Sequence, residues 1–179
     1  SLAIDSNDNL HVTYYDDSND NLEYITFNGS SWSTPLTLDS TGDVGRYSSL
    51  AIDSNDHLHV IYYDDTNDNL EYVTFNGSSW STPSTLDSAD SVGMYPSLVI
   101  DSDDDLHMTY YDYSNGNLEY LYSYVFNSQT FFTSGSTLQS TGDVGLYSSL
   151  AIDSDDDLHV TYYDYTNSDL DYMGIEDGL

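Results

Sequence analysis

The strongest constraint on the fold of this chain is a stretch of sixteen residues that occurs four times. The stretch Ser49–Asp64 reads SLAIDSNDHLHVIYYD, and close copies begin at Ser1, Ser97 and Ser149. Leu2 and its counterparts in the later copies are separated by 48, 48 and 52 residues. This period is typical of one propeller blade rather than of a two-helix solenoid unit. The sequence therefore predicts a repeat protein whose units bury their faces against one another.

Each unit shows the alternation of apolar and polar residues that is typical of β-strands. In the first unit, apolar residues occupy every second position of Ser1–Asp5 and Leu10–Tyr15, which we name strands A and B. The Asp- and Asn-rich segment between them predicts a tight hairpin. Strand C is expected at Leu22–Phe27 and strand D around Trp32–Leu38, where Pro35 predicts an outer edge because proline donates no ladder hydrogen bond. No segment has the periodicity of a helix.

The repeated motif resembles the blade repeats of sialidase-like β-propellers. The resemblance is carried by Ser-Leu-Ala-Ile-Asp-Ser-x-Asp-x-Leu-His-Val-x-Tyr-Tyr-Asp, followed by Asn-Leu-Glu-Tyr and Gly-Ser-Ser-Trp. Such repeats occur in secreted or surface proteins of bacteria and archaea, some of which are propeller lectins. We expect an all-β propeller of about four blades, each with four antiparallel strands and strand A innermost. An open stack of the same sheets is the alternative.

The repeat boundaries predict a single repeat domain, residues 1–179, with blades at 1–48, 49–96, 97–148 and 149–179. In the third unit the interval from Tyr120 to Phe132 is four residues longer than the interval from Tyr24 to Trp32. The fourth unit has strands A, B and C but no strand D, so the last blade is expected to be incomplete. Its open edge at Leu170–Ile175 is a template for strand pairing, and we expect self-association there.

The charge of the chain restricts its partners and its location. Against 32 Asp and Glu residues stands one basic residue, Arg46, which gives a formal net charge of −31. Nucleic acid and anionic membranes are therefore poor partners. Membrane insertion is not expected either, because no apolar run approaches the roughly 20 residues that a spanning helix needs. A Lys-free, Asp-rich surface suits high external salt or bound calcium, so we expect an extracellular or cell-surface location.

The resemblance does not extend to the chemistry of sialidases. Those enzymes are recognised by three arginines that hold the substrate carboxylate, and this chain has only Arg46. The sialidase Asp-box, Ser-x-Asp-x-Gly-x-x-Trp, is matched by Ser6 and Asp8, but Leu10 replaces its glycine and Thr13 its aromatic residue. We therefore expect no sialidase activity and, more generally, no enzyme.

A glycoside hydrolase is a minor alternative, because such enzymes use two carboxylates about 5 to 10 Å apart. The adjacent pairs Asp16–Asp17 and Asp64–Asp65 lie in predicted turns, where both members are expected to be exposed and alike. Such pairs lack the apolar pocket that separates two pKa values.

The turns between strands A and B offer candidate calcium ligands. Calcium takes six to eight oxygen ligands, and Asp at alternate positions of a turn would place three carboxylates on one side. The loops lack the glycine and the distal glutamate of an EF-hand loop, and a solvated hairpin turn is the other interpretation. The candidate metal ligands are Asp101, Asp103 and Asp105 in the third unit and Asp153, Asp155 and Asp157 in the fourth.

Tyrosine supplies the candidate ligand-binding residues. The chain has 19 tyrosines, most of which are expected to pack between blades. Tyr113 and Tyr165 differ, because they stand in the turn between strands B and C and are expected to be exposed. Each follows an aspartate, Asp112 or Asp164, and an aromatic ring face beside carboxylate acceptors suits a sugar.

We therefore expect a non-catalytic module that binds a glycan or another surface protein through its rim loops. A structural or assembly repeat protein is the alternative. The histidine that recurs on strand B of each unit is interpreted as a half-buried bridging residue, and His57 is an additional histidine in a turn.

Overall fold

The computed structural model describes residues 1–126 and 129–175, which form sixteen strands and no helix. All strand pairs are antiparallel, and the strands pair in chain order except that β13 pairs with β11 rather than with β12. This confirms the all-β class and the hairpin pattern of each repeat. The strands are β1 (Leu2–Ile4), β2 (Leu10–Asp16), β3 (Asn21–Phe27), β4 (Leu36–Asp39), β5 (Val44–Ile52), β6 (Leu58–Asp64), β7 (Asn69–Phe75), β8 (Ser84–Asp87), β9 (Val92–Ile100), β10 (Leu106–Asp112), β11 (Asn117–Phe126), β12 (Gln129–Phe132), β13 (Ser136–Gln139), β14 (Val144–Ile152), β15 (Leu158–Asp164) and β16 (Asp169–Ile175).

The four sheets are the four repeats, and we call them blades 1 to 4. Blade 1 contains β1–β4, blade 2 contains β5–β8, blade 3 contains β9–β13, and blade 4 contains β14–β16. The longer third repeat forms a fifth strand, β12, which pairs with an extended β11. Blade 4 has three strands within the described residues, as its sequence predicts.

Strand D is shorter than the sequence predicts. It covers Leu36–Asp39 in blade 1, so Trp32 and Pro35 precede the strand instead of belonging to it. Trp32 forms an isolated bridge with Phe27. The physical reason is that proline cannot donate a ladder hydrogen bond, so regular pairing resumes only after Pro35. Strand D nevertheless lies at the sheet edge, as expected.

The A strands form the inner layer of the molecule, and those of blades 2, 3 and 4 are longer than predicted. Strands β1, β5, β9 and β14 pack against one another in succession. Strand β5 begins at Val44, five residues before the predicted repeat boundary at Ser49. At Gly45 the strand β5 lies very close to blade 1. A Cβ atom at this position would lie 2.6 Å from the Cα atom of Leu22, so only glycine fits. The inner strand of blade 2 therefore includes part of the connection from blade 1.

The hydrophobic core lies between blades rather than within them. Three clusters fill the three interfaces between successive blades. The outer face of blade 1, at Leu2, and the outer face of blade 4, at Leu170, are exposed. The interface between blades 1 and 2 contains Leu22, Val44, Leu50, Leu58, Val60, Tyr62 and Val73.

The described residues include no helix that is long and apolar enough to cross a membrane.

Candidate functional site

Three tyrosines form a row along the inner strands, one from each of blades 2, 3 and 4. Tyr47, Tyr95 and Tyr147 occupy the same position of β5, β9 and β14. Each lies in a β-bulge: in blade 2 the pairing passes from Arg46↔Tyr63 to Ser49↔Ile61. Two residues of the inner strand therefore oppose one residue of strand B. Bulges of this kind redirect a side chain and are common beside functional sites.

The backbone at these tyrosines is strained. The φ angles of Tyr47, Tyr95 and Tyr147 are 56°, 52° and 53°, in the left-handed region. A bulky non-glycine residue rarely adopts this conformation, and each such residue costs on the order of 1–3 kcal/mol. The same strained conformation recurs in three blades. Its free-energy cost must be offset in each blade by what the redirected tyrosine contributes.

The rings of the row contact one another and leave aromatic surface exposed. The centroids of Tyr47 and Tyr95 lie 4.4 Å apart, and those of Tyr95 and Tyr147 lie 4.3 Å apart. Tyr47 is 46% exposed and Tyr147 is 63% exposed. Burial raises the pKa of Tyr95 in the middle, and the adjoining phenols of Tyr147 and Tyr47 raise it further. The row is therefore an uncharged aromatic surface on a strongly negative protein.

Tyr113 and Tyr165 are exposed in the turns between strands B and C, at 64% and 63%. Tyr113 makes an edge contact with Tyr111, at 6.4 Å between centroids, and Tyr165 makes the equivalent contact with Tyr163. Their exposure agrees with their expected turn position. Their binding role stays a prediction.

The aspartates beside these two tyrosines point into the protein. Asp112 and Asp164 are buried, and both carboxylate oxygens of each accept hydrogen bonds inside the turn. The backbone N–H and the side-chain amide of Asn115 donate to Asp112 at 3.0 and 2.7 Å. Asn167 makes the same contacts with Asp164, and these hydrogen bonds hold the pKa of Asp164 below its usual range. Asp112 and Asp164 therefore close the turns instead of facing solvent beside the tyrosines.

Buried acids also occur where the sequence suggests exposed ones. Asp64 is only 5% exposed, so the pair Asp64–Asp65 is not the exposed, matched pair that its turn position predicts. Asp64 accepts hydrogen bonds from Asn67, as Asp112 and Asp164 do from their own turns. Burial raises the pKa of Glu71, which lies nearby on β7.

A polar cleft of about 410 Å³ lies between blades 2 and 3, at the rim formed by the turns between strands A and B. His57 Nδ1 lies 2.9 Å from Asp53 Oδ2, and His59 Nε2 lies 3.5 Å from the same oxygen. The other ring nitrogen of His59 lies 2.7 Å from the hydroxyl of Tyr72. Leu106 contributes an apolar part of the wall. The cleft thus combines hydrogen-bonding groups with an apolar surface, which is the composition of a small-molecule site.

Burial and hydrogen bonding set the charge states in this cleft. Burial by itself would raise the pKa of Asp53, but hydrogen bonds from the backbone N–H groups of His57 and Asn55 bring the pKa below its usual value. Burial lowers the pKa of His59 although Asp53 acts in the opposite direction. Asp53 is therefore ionised and His59 neutral near pH 7. The recurring strand-B histidine bridges groups as expected, and His57 adds a second imidazole only in this repeat.

The candidate calcium turns are closed by their own hydrogen bonds. Asp101 Oδ1 accepts the backbone N–H groups of Asp103 and Asp105, and Asp101 Oδ2 lies 3.0 Å from His107 Nε2. Asp153 is placed in the same way. Within residues 1–126 and 129–175, no three acidic, histidine or cysteine side chains are gathered closely enough to hold a metal ion. Calcium binding therefore remains a proposal without a preformed cage.

One oxygen in these turns stands apart. Asp105 Oδ1 is buried and has no hydrogen-bond partner in the described part of the chain. Burial raises the pKa of Asp105, and the neighbouring carboxylate of Asp101 raises it further. The negative charge of Asp105 is therefore poorly accommodated in this turn.

The single arginine is bound within the protein. The guanidinium of Arg46 donates to both carboxylate oxygens of Asp43, at 3.1 and 2.9 Å. It also lies over the ring of Tyr15, 4.8 Å from the centroid. This hydrogen-bonded contact holds the pKa of Asp43 below its usual range. Arg46 therefore has little capacity left for an acidic ligand.

The sequence predicts that the tyrosines of the row pack between blades, as it does for most of the 19 tyrosines. Tyr47 and its counterparts recur in every complete inner strand, which is also the pattern of a core residue. The signal that distinguishes them is the bulge, which depends on the pairing register and is invisible in a single sequence. His57 was noticeable only as an extra histidine in one of four similar turns.

Comparison with known proteins identifies structures with a similar fold but no similar sequences. No family model matches the sequence, and no curated protein sequence matches it. The solved structures that it resembles include the intramolecular trans-sialidase of Ruminococcus gnavus, with a TM-score of 0.69 and 15% identity, over 99% of this chain and 42% of the enzyme. NanB sialidase of Streptococcus pneumoniae aligns with a TM-score of 0.69 and 16% identity, over 98% of this chain and 30% of the enzyme.

A third similar structure is an exo-beta-1,3-galactanase of Phanerochaete chrysosporium, with a TM-score of 0.63 and 9% identity, over 97% of this chain and 44% of the enzyme. The chain spans less than half the length of each of these proteins. At such low identity the likeness concerns the backbone alone. The chain has the blade architecture of the sialidase-like β-propeller fold.

Proposed function

We propose that this protein is a non-catalytic carbohydrate-binding module that holds neutral glycans on the tyrosine row. The observation that carries the proposal is the row itself: Tyr47, Tyr95 and Tyr147 keep a strained backbone and leave aromatic surface exposed. Aromatic rings stack on the apolar faces of sugars, while their hydroxyls form hydrogen bonds at the edge. A rigid row of rings presents this surface with little loss of side-chain entropy.

Charge favours neutral glycans over acidic ones. The formal net charge is −31, so an anionic sugar meets a repulsive field before it reaches the surface. The only arginine, Arg46, is paired with Asp43 and lies against Tyr15. A carboxylate-bearing sugar would therefore find no arginine fork free to bind it.

The absence of catalysis is part of the proposal, and the placement of the acids supports it. Glu71 and Glu119 have raised pKa values because they are buried, and they recur at equivalent positions of blades 2 and 3. A catalytic acid is needed once, whereas a structural residue recurs with the repeat. We also propose an extracellular or cell-surface location, which suits an acidic glycan-binding surface.

The test is a glycan array followed by calorimetric titration of neutral oligosaccharides. We expect saturable binding that weakens about fivefold in Tyr147→Ala, since an aromatic contact contributes on the order of 1 kcal/mol. Tyr124→Ala is the matched control, because Tyr124 is an exposed tyrosine on the extra hairpin of blade 3 and lies outside the row. Its affinity should equal that of the unmodified protein.

Further variants locate the site. Tyr113→Ala and Tyr165→Ala report on the turns between strands B and C, and His57→Ala reports on the polar cleft. Loss of affinity in one of these variants, with Tyr147→Ala unchanged, would move the site away from the row. Turnover of a chromogenic glycoside above the level of a buffer blank would refute the non-catalytic assignment.

A structural or assembly role is the second candidate. The specific observation in its favour is that the blades interlock through repeated contacts and that the outer faces of blades 1 and 4 are exposed. If the protein binds no glycan on the array, carbohydrate binding is refuted and the structural role remains.

A further inference from the structure

The interfaces between successive blades repeat the same contacts, and an edge-on aromatic pair is present at the first two of them. In blade 1, Tyr24 packs edge-on against Trp80 of blade 2, with centroids 5.1 Å apart and an interplanar angle of 65°. In blade 2, Tyr72 makes the same contact with Phe132 of blade 3, at 5.1 Å and 64°. These two interfaces are directional, because the earlier blade supplies the tyrosine and the later blade supplies its aromatic partner.

Hydrogen bonds follow the same direction. The backbone N–H and the hydroxyl of Ser6 donate to the Asp56 carboxylate of the next blade, at 2.9 and 2.5 Å. Ser54 donates to Asp104 in the same way. Ser102 and Asp156 form the third pair, so the serine always belongs to the earlier blade.

A second series of hydrogen bonds joins the inner strands. The hydroxyl oxygens of Ser1, Ser49 and Ser97 each accept the backbone N–H of the leucine at the second position of the next repeat. Their donors are Leu50, Leu98 and Leu150, at 3.1, 3.1 and 2.9 Å.

The two ends of the described chain carry the two halves of this interface. On blade 1, Leu2 is 59% exposed, whereas its counterpart Leu50 in blade 2 is 6% exposed. Trp32, the counterpart of Trp80, is 50% exposed. Asp8, the counterpart of Asp56, is exposed as well. Blade 1 thus presents the half that a preceding blade would cover.

Blade 4 presents the complementary half. Leu170 is 72% exposed, whereas its counterparts Leu70 and Leu118 are fully buried. Tyr172, the counterpart of Tyr24 and Tyr72, is 62% exposed, and Ser154 on the same blade is exposed too. The exposed face of blade 4 therefore has the same apolar and polar positions as the faces that blades 1, 2 and 3 present to the next blade. The exposed face of blade 1 is complementary to it.

We propose that blade 4 of one copy of this protein packs face to face on blade 1 of a second copy and repeats the internal interface. In that contact Tyr172 of the first copy meets Trp32 of the second edge-on. Ser154 donates to Asp8, and the Ser149 hydroxyl accepts the N–H of Leu2. A second copy is the occupant because the chain already makes this interface three times with its own blades.

The geometry of such an assembly follows from its direction. A head-to-tail contact uses two different surfaces, so it generates a ring if the rotation closes and a filament if it does not. It differs from pairing of two exposed β16 edges, which would use one surface twice. The inference does not depend on carbohydrate binding, because none of its contacts involves the tyrosine row.

Light scattering and mixing of variants test the proposal. Leu2→Asp places a charge on the blade 1 face, and Leu170→Asp places one on the blade 4 face. We expect the unmodified protein to associate at tens of micromolar, and each variant alone to be monomeric. An equimolar mixture of the two variants should give dimers, because each supplies the intact face that the other lacks.

The control is Leu36→Asp, which charges an exposed leucine whose counterparts in blades 2 and 3 are Ser84 and Ser136. It should associate like the unmodified protein. In a Trp80→Phe background the emission of Trp32 should shift to shorter wavelength as association buries the ring, and Tyr172→Ala should abolish the shift.

Two results would overturn the proposal. A strictly monomeric unmodified protein would exclude a second copy as the occupant and leave these faces to some other partner. Association that persists in Leu2→Asp alone would show that the copies pair through another surface, such as the β16 edge.

Discussion

The hydroxyl of Tyr62 in blade 2 donates a 2.7 Å hydrogen bond to Asp39 Oδ2 in blade 1. The Tyr62 ring is fully buried, and Asp39 is 6% exposed. Tyr110 and Asp87 repeat the contact between blades 2 and 3, at 2.6 Å. The pKa of Tyr62 is raised by burial and by Asp39, so the phenol stays a donor to the buried carboxylate.

Removing this hydroxyl should destabilise the protein. Tyr62→Phe keeps the ring in place but takes a hydrogen bond from a buried carboxylate, which costs about 1–3 kcal/mol. We expect the midpoint of urea unfolding to fall, with an unchanged slope. Tyr113→Phe is the control because its hydroxyl lies on an exposed ring. Equal midpoints for the two variants would contradict the prediction.

The close approach of β9, the inner strand of blade 3, to β7 of blade 2 should make Gly93 hard to replace. A Cβ atom at Gly93 would lie 2.7 Å from the backbone Cα of Leu70, and the φ angle of Gly93 is +94°. Gly29 has a similar φ angle of +84° but no atom within 4 Å of the added carbon. Gly29→Ala should therefore cost about 1–2 kcal/mol for its backbone conformation alone.

Gly93→Ala should cost at least about 1 kcal/mol more than Gly29→Ala, because blades 2 and 3 must also separate to admit the methyl group. Thermal melting of the two variants side by side measures the difference. Similar melting temperatures would show that the strand contact relaxes without loss.

Buried acids should shift the pH of maximum stability to the acidic side of neutrality. Burial raises the pKa of Glu71 and Glu119 above the ordinary value of 4.5. Their contribution to stability is fully present below pH 4.5 and is lost as the pH rises through the raised pKa values. For Asp53, hydrogen bonds outweigh burial and lower the pKa below 3.8, so its contribution is present above 3.8 and lost as the pH falls.

The free energy of unfolding should therefore increase from pH 7 toward about pH 4.5 and decrease below pH 3.8. Urea unfolding at a series of pH values measures it. The double variant Glu71→Gln, Glu119→Gln should flatten the increase, whereas Asp17→Asn at an exposed position should leave it in place. A profile that the double variant leaves unchanged would show that other groups carry the pH dependence.

Cations should stabilise the protein by screening. Two like charges about 4 Å apart cost roughly 1 kcal/mol in water, and 32 acidic residues oppose one arginine. The Asp101 and Asp153 oxygens are already used within their turns, so we expect sodium and calcium to raise the melting temperature equally at matched ionic strength. Melting in chelator, calcium chloride and sodium chloride checks this.

A larger effect of calcium would instead support the proposed calcium sites. Asp105→Asn then separates the two explanations, because it removes the carboxylate whose Oδ1 has no partner among the described residues. An advantage of calcium that disappears in Asp105→Asn would locate the ion in that turn.

Local pattern was enough to predict the strands and their order. The alternation in Leu10–Tyr15 and Leu22–Phe27 and the polar turn between them specify a hairpin without reference to the rest of the chain. The insertion in the third repeat was visible as a change of spacing, and the structure forms an extra hairpin from it. The shortened strand D was missed because the effect of Pro35 extends to the residues before it.

The candidate site depended on contacts that no single repeat contains. Tyr113 and Tyr165 are predicted to be exposed from their position within a turn, and the structure agrees. The exposure of Tyr47 and Tyr147, the burial of Asp112 and the strain at Tyr95 depend on a bulge and on the packing of neighbouring blades.

The sequence by itself determined the repeat, the β class and the strong negative charge, since period, alternation and composition are properties of residues close in the chain. The tertiary structure decided which identical side chains are buried. Tyr72 and Tyr172 occupy the same position of their repeats, yet Tyr72 is 7% exposed and Tyr172 is 62% exposed. The physical reason is that burial requires a neighbouring blade, and a repeat does not specify its neighbour.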